Sequence, residues 1–375
     1  MIPLNENLGR LKRSAIRRFT NLANATPGCI KLTIGEPDFN TPESIRAAAC
    51  AALQDNQTHY APNQGTAQLR SAIADFESRR GMPCKAEQVL VTVGASGALF
   101  TALLGILNPG DEVIVPIPAF PLYESIVTMA GAKLVPMETA SADFQITTEM
   151  LEAAVTEKTK AILLNSPNNP TGCVYTADSL AAVKRAVLGK PIFVICDNVY
   201  NQHSYGDSPD LSLDVELGEQ LLLVQSFSKP YAMTGWRVGY LVGPEDVVSK
   251  LLLLHAAEVA SVSTFLQTAC VAALEADPSE MAAVYRSRRD YVCQRLDGMG
   301  LSYPAPMGAF YVFVDISRFF MDSETFCTRL IQEGGVAAVP GSCFGTEGFI
   351  RLSYCCAQEA LEQGLDRLEA FIQKL

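Results

Sequence analysis

The sequence predicts an α/β fold: a large domain on a mainly parallel seven-stranded sheet, followed by a smaller α+β domain. Three observations lead there. Short apolar runs alternate with segments of helical spacing along most of the chain. Those runs are nearly continuous rather than alternating in polarity, as in strands buried on both faces. After about residue 285 the alternation loosens. With 375 residues, 49% of them apolar and 18% charged, the chain can bury one large core and a second, smaller one.

Taken in order, Leu8, Leu11, Ala15, Phe19 and Leu22 fall at helical spacing and predict an amphipathic arm. Thr41-Pro42-Glu43 reads as an N-cap, a proline at the first helical position and an early acid, opening a helix with Ile45, Ala48, Ala49, Ala52 and Leu53 on one face. Strands are predicted at Val89–Val93, Glu112–Val115, Lys133–Met137, Ala161–Asn165, Ile192–Cys196, Leu221–Gln225 and Trp236–Val242. A basic helix bearing Arg286, Arg288, Arg289 and Arg295 then leads to strands at Ala309–Asp315, Val336–Val339 and Phe349–Tyr354. A helix near Glu324–Glu333 lies among these, and another closes the chain from Gln358. The expected division is an arm over 1–40 packing with the smaller domain, a large domain over 41–285 and a small one over 286–375.

Composition excludes several functions. A formal charge of −11 does not suit a nucleic-acid or anionic-membrane surface. Glu6, Arg10, Lys12 and Arg13 interrupt any apolar leader, and the greasiest stretches are too short to span a bilayer, so a cytoplasmic protein is expected. Eleven scattered cysteines without a CxxC pair read as reduced and mostly buried. Three histidines (His59, His203 and His255), none at ligand spacing, point to no metal site and no Ser-His-Asp triad.

In an open α/β sheet, ligands bind outside the carboxyl ends of the strands, and the polar motifs lie there. Gly94-Ala95-Ser96-Gly97 opens a helix whose free N–H groups suit a phosphate, or form a plain tight turn. Phe120, between prolines, is a ring for stacking or a core residue. Asn168 and Asn169 sit in a rigid loop, Asp197 ends a strand or caps the next helix with Tyr200 three residues on, and Lys229 follows Ser226 and Ser228, with Arg237 eight residues further. A lysine at a buried strand end is costly unless deprotonated, the state of an amine nucleophile. Five successive strand ends thus offer a phosphate loop, an aromatic ring, an amide, a carboxylate and a lysine, the set that pyridoxal 5′-phosphate requires.

The run Ser226-Phe227-Ser228-Lys229-Pro230-Tyr231-Ala232-Met233-Thr234-Gly235-Trp236-Arg237-Val238-Gly239 resembles the class I/II aminotransferase cofactor-attachment signature throughout. Gly35-Glu36-Pro37-Asp38-Phe39, His59-Tyr60-Ala61-Pro62-Asn63-Gln64-Gly65, Asn169-Pro170-Thr171-Gly172, Gly308-Ala309-Phe310-Tyr311 and Arg351-Leu352-Ser353-Tyr354 look like that family's other landmarks, in its order. Ser14-Ala15-Ile16-Arg17, Leu32-Thr33-Ile34-Gly35 and Val339-Pro340-Gly341-Ser342 look most like members annotated for N-acetyl-LL-diaminopimelate, near aromatic and aspartate aminotransferases.

The resemblance implies the fold-type I architecture of pyridoxal-phosphate transferases and ping-pong transfer of an amino group from an L-amino acid to a 2-oxo acid such as 2-oxoglutarate. Lys229 would carry the cofactor as a Schiff base and shuttle the proton; Asp197 would pair with the pyridine nitrogen; Asn169 and Tyr200 would hold the phenolate oxygen. Phe120 would stack on the ring, while Ala95, Ser96, Ser226, Ser228 and Arg237 would bind the phosphate. Arg351, with Asn169 and the Gly35 backbone, would hold the substrate carboxylate. Tyr60 would reach the phosphate of a neighbouring subunit, which implies a homodimer with shared sites. Asn198 stands where the family often has Glu, outside the cofactor contacts. No arginine lies between Arg237 and Arg286, and Ser96 replaces a lysine of some acidic-substrate relatives, which weighs against strict aspartate specificity. A β-lyase acting on cysteine conjugates or cystathionine would share Lys229, Asp197 and Arg351.

Overall fold

The computed structural model describes residue 2, residues 4–11 and residues 15–375. Ser14 and the side chain of Ala15, both used in the sequence reading, lie outside the described residues. The arm forms two helices, α1 (Glu6–Arg10) and α2 (Ala15–Ala25), followed by the short strand β1 (Ile30–Lys31). Phe19, Ala23 and Leu32 are buried in a core made chiefly by the C-terminal part of the chain, and β1 pairs in parallel with β10 (Val336–Ala337).

Helix α3 (Glu43–Gln54) starts one residue later than Thr41-Pro42-Glu43 suggests, because Pro42 is its N-cap. The Thr41 hydroxyl caps nothing. It donates to the Ala232 carbonyl, 2.6 Å away, and so ties the segment before α3 to the loop after Lys229. Helix α4 (Ala67–Arg79) is capped by Thr66, whose hydroxyl accepts from the Leu69 N–H.

The central sheet has seven strands: β2 (Val89–Thr92), β3 (Glu112–Ile117), β4 (Lys133–Glu138), β5 (Thr159–Asn165), β6 (Phe193–Asp197), β7 (Leu221–Ser226) and β8 (Gly239–Val242). Their order is β2-β8-β7-β6-β5-β3-β4. All neighbours run parallel except β8, which is antiparallel to both β7 and β2. Apolar cores cover both faces, which is why the inner strands read as unbroken apolar runs. The polar strand ends are set side by side by register, Asn165 opposite Asp197 and Asp197 opposite Val224.

Strand β8 is shorter than the apolar pattern from Trp236 suggests. Thr234–Trp236 form a 3-10 turn, and Arg237 has a left-handed backbone (φ +54°) that breaks the strand and turns its side chain toward the strand ends.

Toward the C-terminus, β9 (Tyr311–Asp315), β11 (Val339–Pro340) and β12 (Phe349–Ser353) form a three-stranded antiparallel sheet in the order β11-β12-β9. The predicted strand at Val336–Val339 is two strands in different sheets, β10 and β11. The arginine-rich helix runs over Ser279–Gly298, and the closing helix over Gln358–Ile372. Among the described residues no helix is long and apolar enough to cross a membrane.

The seam between β8 and α5 (Gly94–Ile106) is closed by glycine. A Cβ on Gly239 would lie 2.6 Å from the Gln225 carbonyl oxygen and 2.7 Å from the Ala95 nitrogen, both main-chain atoms that cannot swing away. Gly239→Ala is therefore expected to destabilise the fold by about 1–3 kcal/mol, read as a lower denaturation midpoint in urea.

Candidate active site

The strand ends open into a cavity of about 380 Å³ whose lining includes Gly35, Ala95, Ser96, Phe120, Asn169, Asp197, Tyr200, Ser226, Ser228, Lys229, Arg237 and Arg351. Every site residue expected from the sequence thus meets in one place except Tyr60. That ring is 91% exposed and does not line this chain's own cavity.

Helix α5 begins at Gly94, and no side chain caps its N-terminus, so the first N–H groups, at Ala95 and Ser96, face the cavity as an anion cradle. The Arg237 guanidinium lies against this turn, only 2.6 Å from where a Cβ of Gly94 would stand. Its Nη1 donates to the Thr234 carbonyl at 2.9 Å, which holds it in place. Ser226 and Ser228 are buried beside it, with the Ser226 hydroxyl accepting from the Ser228 N–H at 3.0 Å.

Asp197, the last residue of β6, is buried. Its Oδ2 accepts from the Tyr123 hydroxyl at 2.6 Å, whereas Oδ1 has no hydrogen-bond partner among the described residues. Burial raises its pKa to about 6, against the lowering effect of Tyr123 and the Val199 N–H. An orphaned carboxylate oxygen at the floor of a cavity with an anion cradle at its rim fits a heterocycle that bears a ring N–H at one end and a phosphate at the other.

Lys229 is half-buried just beyond β7 and lines the cavity. Burial pulls its amine down to about 8, which brings the free base within reach near neutral pH while the ammonium still predominates; Arg351 and Arg237 push the same way, and Cys355 and Glu36 oppose. Its Nζ donates to the Gly35 carbonyl at 2.6 Å.

The wall facing the cradle is built on Arg351, in the middle of β12. Its guanidinium is buried between the rings of Tyr311 (4.4 Å) and Phe344 (5.0 Å). Nη1 donates to Asn169 Oδ1 at 2.8 Å and Nη2 to the Thr33 carbonyl at 2.6 Å; both acceptors are neutral. Asn169 is itself fixed by its N–H to Asn165 Oδ1, and Asn165 Nδ2 donates to the Asp197 carbonyl, each at 2.8 Å. The Tyr200 hydroxyl shares a hydrogen with that of Tyr311 over 3.0 Å.

A ladder joins the arm to this wall. The carbonyls of Leu32, Thr33, Ile34 and Gly35 are taken in turn by the Ser353 N–H, Arg351 Nη2, the Cys355 thiol and Lys229 Nζ. Sequence reasoning missed Tyr123, Tyr311 and Cys355. Tyr123 lies one helical turn past Phe120 and was open to detection by that spacing; Cys355 offered no local signal.

The comparisons with known proteins follow the same lines. Residues 27–368 match the family model "Aminotransferase class I and II". The chain belongs to that family. A probable N-acetyl-LL-diaminopimelate aminotransferase of Bacillus subtilis is 40% identical over 99% of this chain and 96% of its own. Aromatic-amino-acid aminotransferase 2 of Thermococcus litoralis is 37% identical over 99% and 98%. The crystal structure of an aspartate aminotransferase from Thermotoga maritima superposes with a TM-score of 0.95 at 36% identity, covering 99% of this chain and all of that one. This aminotransferase is therefore a pyridoxal-phosphate enzyme of fold type I that moves an amino group between amino and oxo acids.

Removing the Tyr123 hydroxyl tests the electrostatics of the floor. Asp197 would lose a hydrogen bond that favours its charged form, so its pKa should rise above about 6 and the carboxylate fraction at neutral pH should fall. Tyr123→Phe is expected to weaken pyridoxal-phosphate binding about tenfold at pH 7, less at pH 8.5, as read by equilibrium dialysis across that range.

Proposed function

We propose that this aminotransferase takes its amino group from an L-amino acid and passes it to 2-oxoglutarate by a ping-pong cycle, with Lys229 as the reactive amine. The observation that carries this reading is Arg351. A buried guanidinium held, among the described residues, by neutral acceptors and aromatic faces is a cation waiting for an anion. A substrate α-carboxylate supplies it in the bidentate form that guanidinium favours, opposite a lysine whose burial pulls its amine toward the free base.

Bound pyridoxal phosphate supplies an aldehyde carbon and a ring that stores the electron pair released when the Cα–H bond breaks. The residues supply the rest. Ala95 and Ser96 N–H groups with Arg237, Ser226 and Ser228 anchor the phosphate; Asp197 holds a proton on the ring nitrogen; Phe120 covers the ring face. Asn169 and Tyr200 donate toward the phenolate oxygen. Arg351, Asn169 and the Gly35 backbone orient the donor so that Cα–H faces Lys229 Nζ, which would take the proton from Cα and return it, on the same face, to the cofactor's C4′.

The exposed Tyr60 supports a homodimer in which each copy completes the other's phosphate site. Eleven free thiols suit a reducing, cytoplasmic setting. The arm and the C-terminal segments share an apolar core that Met281 and Tyr285 also join, and the helix Ser279–Gly298 runs through residue 286, so the smaller domain is better taken to begin with that helix.

An absorbance spectrum of the loaded enzyme, with and without a panel of L-amino acids, tests the reading. The visible band should convert on adding a donor and return with 2-oxoglutarate. Pyruvate and ammonia accumulating without any oxo acid would instead favour the β-lyase. Arg351→Leu should lower kcat/KM for the donor at least about a hundredfold, while the visible band of the resting enzyme remains.

A further inference from the structure

Asp197 and the residue after it face opposite ways. Asp197 lines the cofactor cavity, whereas Cys196 and Asn198 line a smaller one of about 110 Å³, as alternate residues of an extended strand must. The peptide unit that joins Asp197 to Asn198 is held at both of its polar groups. Its carbonyl, that of Asp197, accepts from Asn165 Nδ2 at 2.8 Å. Its N–H, that of Asn198, donates to the Val224 carbonyl at 3.0 Å. Neighbouring strands on either side thus fix the mounting of the floor carboxylate.

The buried Asn198 side chain is anchored in turn. Its Nδ2 donates to the Asp210 carboxylate, 2.9 Å from each oxygen. Ser212 donates to the same carboxylate through its N–H at 2.9 Å and its hydroxyl at 2.7 Å, and Arg80 Nη2 lies 3.5 Å from it. Arg80 Nη1 also donates at 2.8 Å to Glu77, a fully buried acid that accepts from the Tyr240 hydroxyl at 2.6 Å. Two carboxylates therefore share one guanidinium, and Asn198 and Ser212 serve Asp210 as neutral donors. The chemistry above uses none of these groups.

A leucine of similar volume would satisfy packing alone at this position. An amide nitrogen that only donates, set against a carboxylate that only accepts, fixes a direction as well. On the cavity side, Tyr123 holds Oδ2 of Asp197, and Oδ1 has no hydrogen-bond partner among the described residues. Where Oδ1 points is decided by the backbone that carries it.

We propose that Asn198 is a positioning residue: anchored to Asp210, it fixes the peptide after Asp197 so that Oδ1 stays directed at the cofactor's ring nitrogen. This rests on the reading of Asp197 as the partner of that nitrogen.

A charge exchange tests it. Asn198→Asp brings a second carboxylate against Asp210, whereas Asn198→Asp with Asp210→Asn restores a donor facing an acceptor at the original net charge. Pyridoxal-phosphate affinity is read by equilibrium dialysis at pH 7, and the urea midpoint of the cofactor-free protein beside it. The single variant should bind about tenfold more weakly, and the exchanged pair within about threefold of wild type. Adding Tyr123→Phe separates positioning from stability. Its own loss of about tenfold should shrink to about twofold once Asn198→Asp has misdirected the carboxylate, and return in the exchanged pair. A merely structural Asn198 would lower the urea midpoint and leave the Tyr123→Phe loss undiminished, which overturns the proposal. So does a single variant equal to wild type, or an exchanged pair no better than the single variant. Should Asn198→Asp fail to fold, Asn198→Leu takes its place in the cycle with Tyr123→Phe, with the same shrinkage expected. An Asp197→Ala variant that binds pyridoxal phosphate as wild type does would instead overturn the reading of Asp197 itself, whatever Asn198 does.

Discussion

The site depends on one buried cation. Arg351 lies on a strand of the C-terminal sheet, yet its two donated hydrogen bonds go to the Thr33 carbonyl of the arm and to Asn169, beyond the end of a central strand. Three parts of the chain are fixed relative to one another through a single guanidinium. Taking that charge out of water is expensive. The rings of Tyr311 and Phe344 offset part of the cost through their faces, and a bound carboxylate removes the remainder. Geometry that tolerates the cation in the resting protein is thereby geometry that binds an anion.

Burial then sets the two other ionisable groups in opposite senses. It lowers Lys229 toward a free amine and raises Asp197 toward a protonated acid, because low dielectric disfavours the charged form of either. The local partners separate their duties. Tyr123 holds one oxygen of Asp197 and keeps the carboxylate form within reach, leaving the other oxygen for the ring nitrogen. Lys229 leans on the Gly35 carbonyl, a partner that accepts from the amine in either protonation state.

The central sheet was legible because its strands are buried on both faces, so Val89–Thr92 or Leu221–Ser226 show as unbroken apolar runs. The cofactor side of the cavity was legible because each group stands at a strand end and chain order follows the sheet. What stayed hidden involves partners far apart in sequence. Tyr123 meets Asp197 across 74 positions, and Thr41 leaves its expected cap for Ala232 across 191. The strand drawn from Trp236 starts late, at Gly239, because Arg237 adopts a left-handed backbone that no apolar pattern encodes. Cys355 looked like one more small buried residue, and only the fold made its thiol a rung on the arm.

That ladder has a consequence for how the enzyme is made. Its arm carbonyls, residues 32 to 35, leave the ribosome long before the groups at Arg351, Ser353 and Cys355; the Arg351–Thr33 bond closes a loop of 318 positions. Contacts of such separation form only after the intervening chain has been ordered. A nascent chain that already contains Lys229 and the whole central sheet therefore still lacks its carboxylate clamp. Full substrate competence waits on the segment that carries Arg351, Ser353 and Cys355, and a chain interrupted before it cannot assemble the clamp.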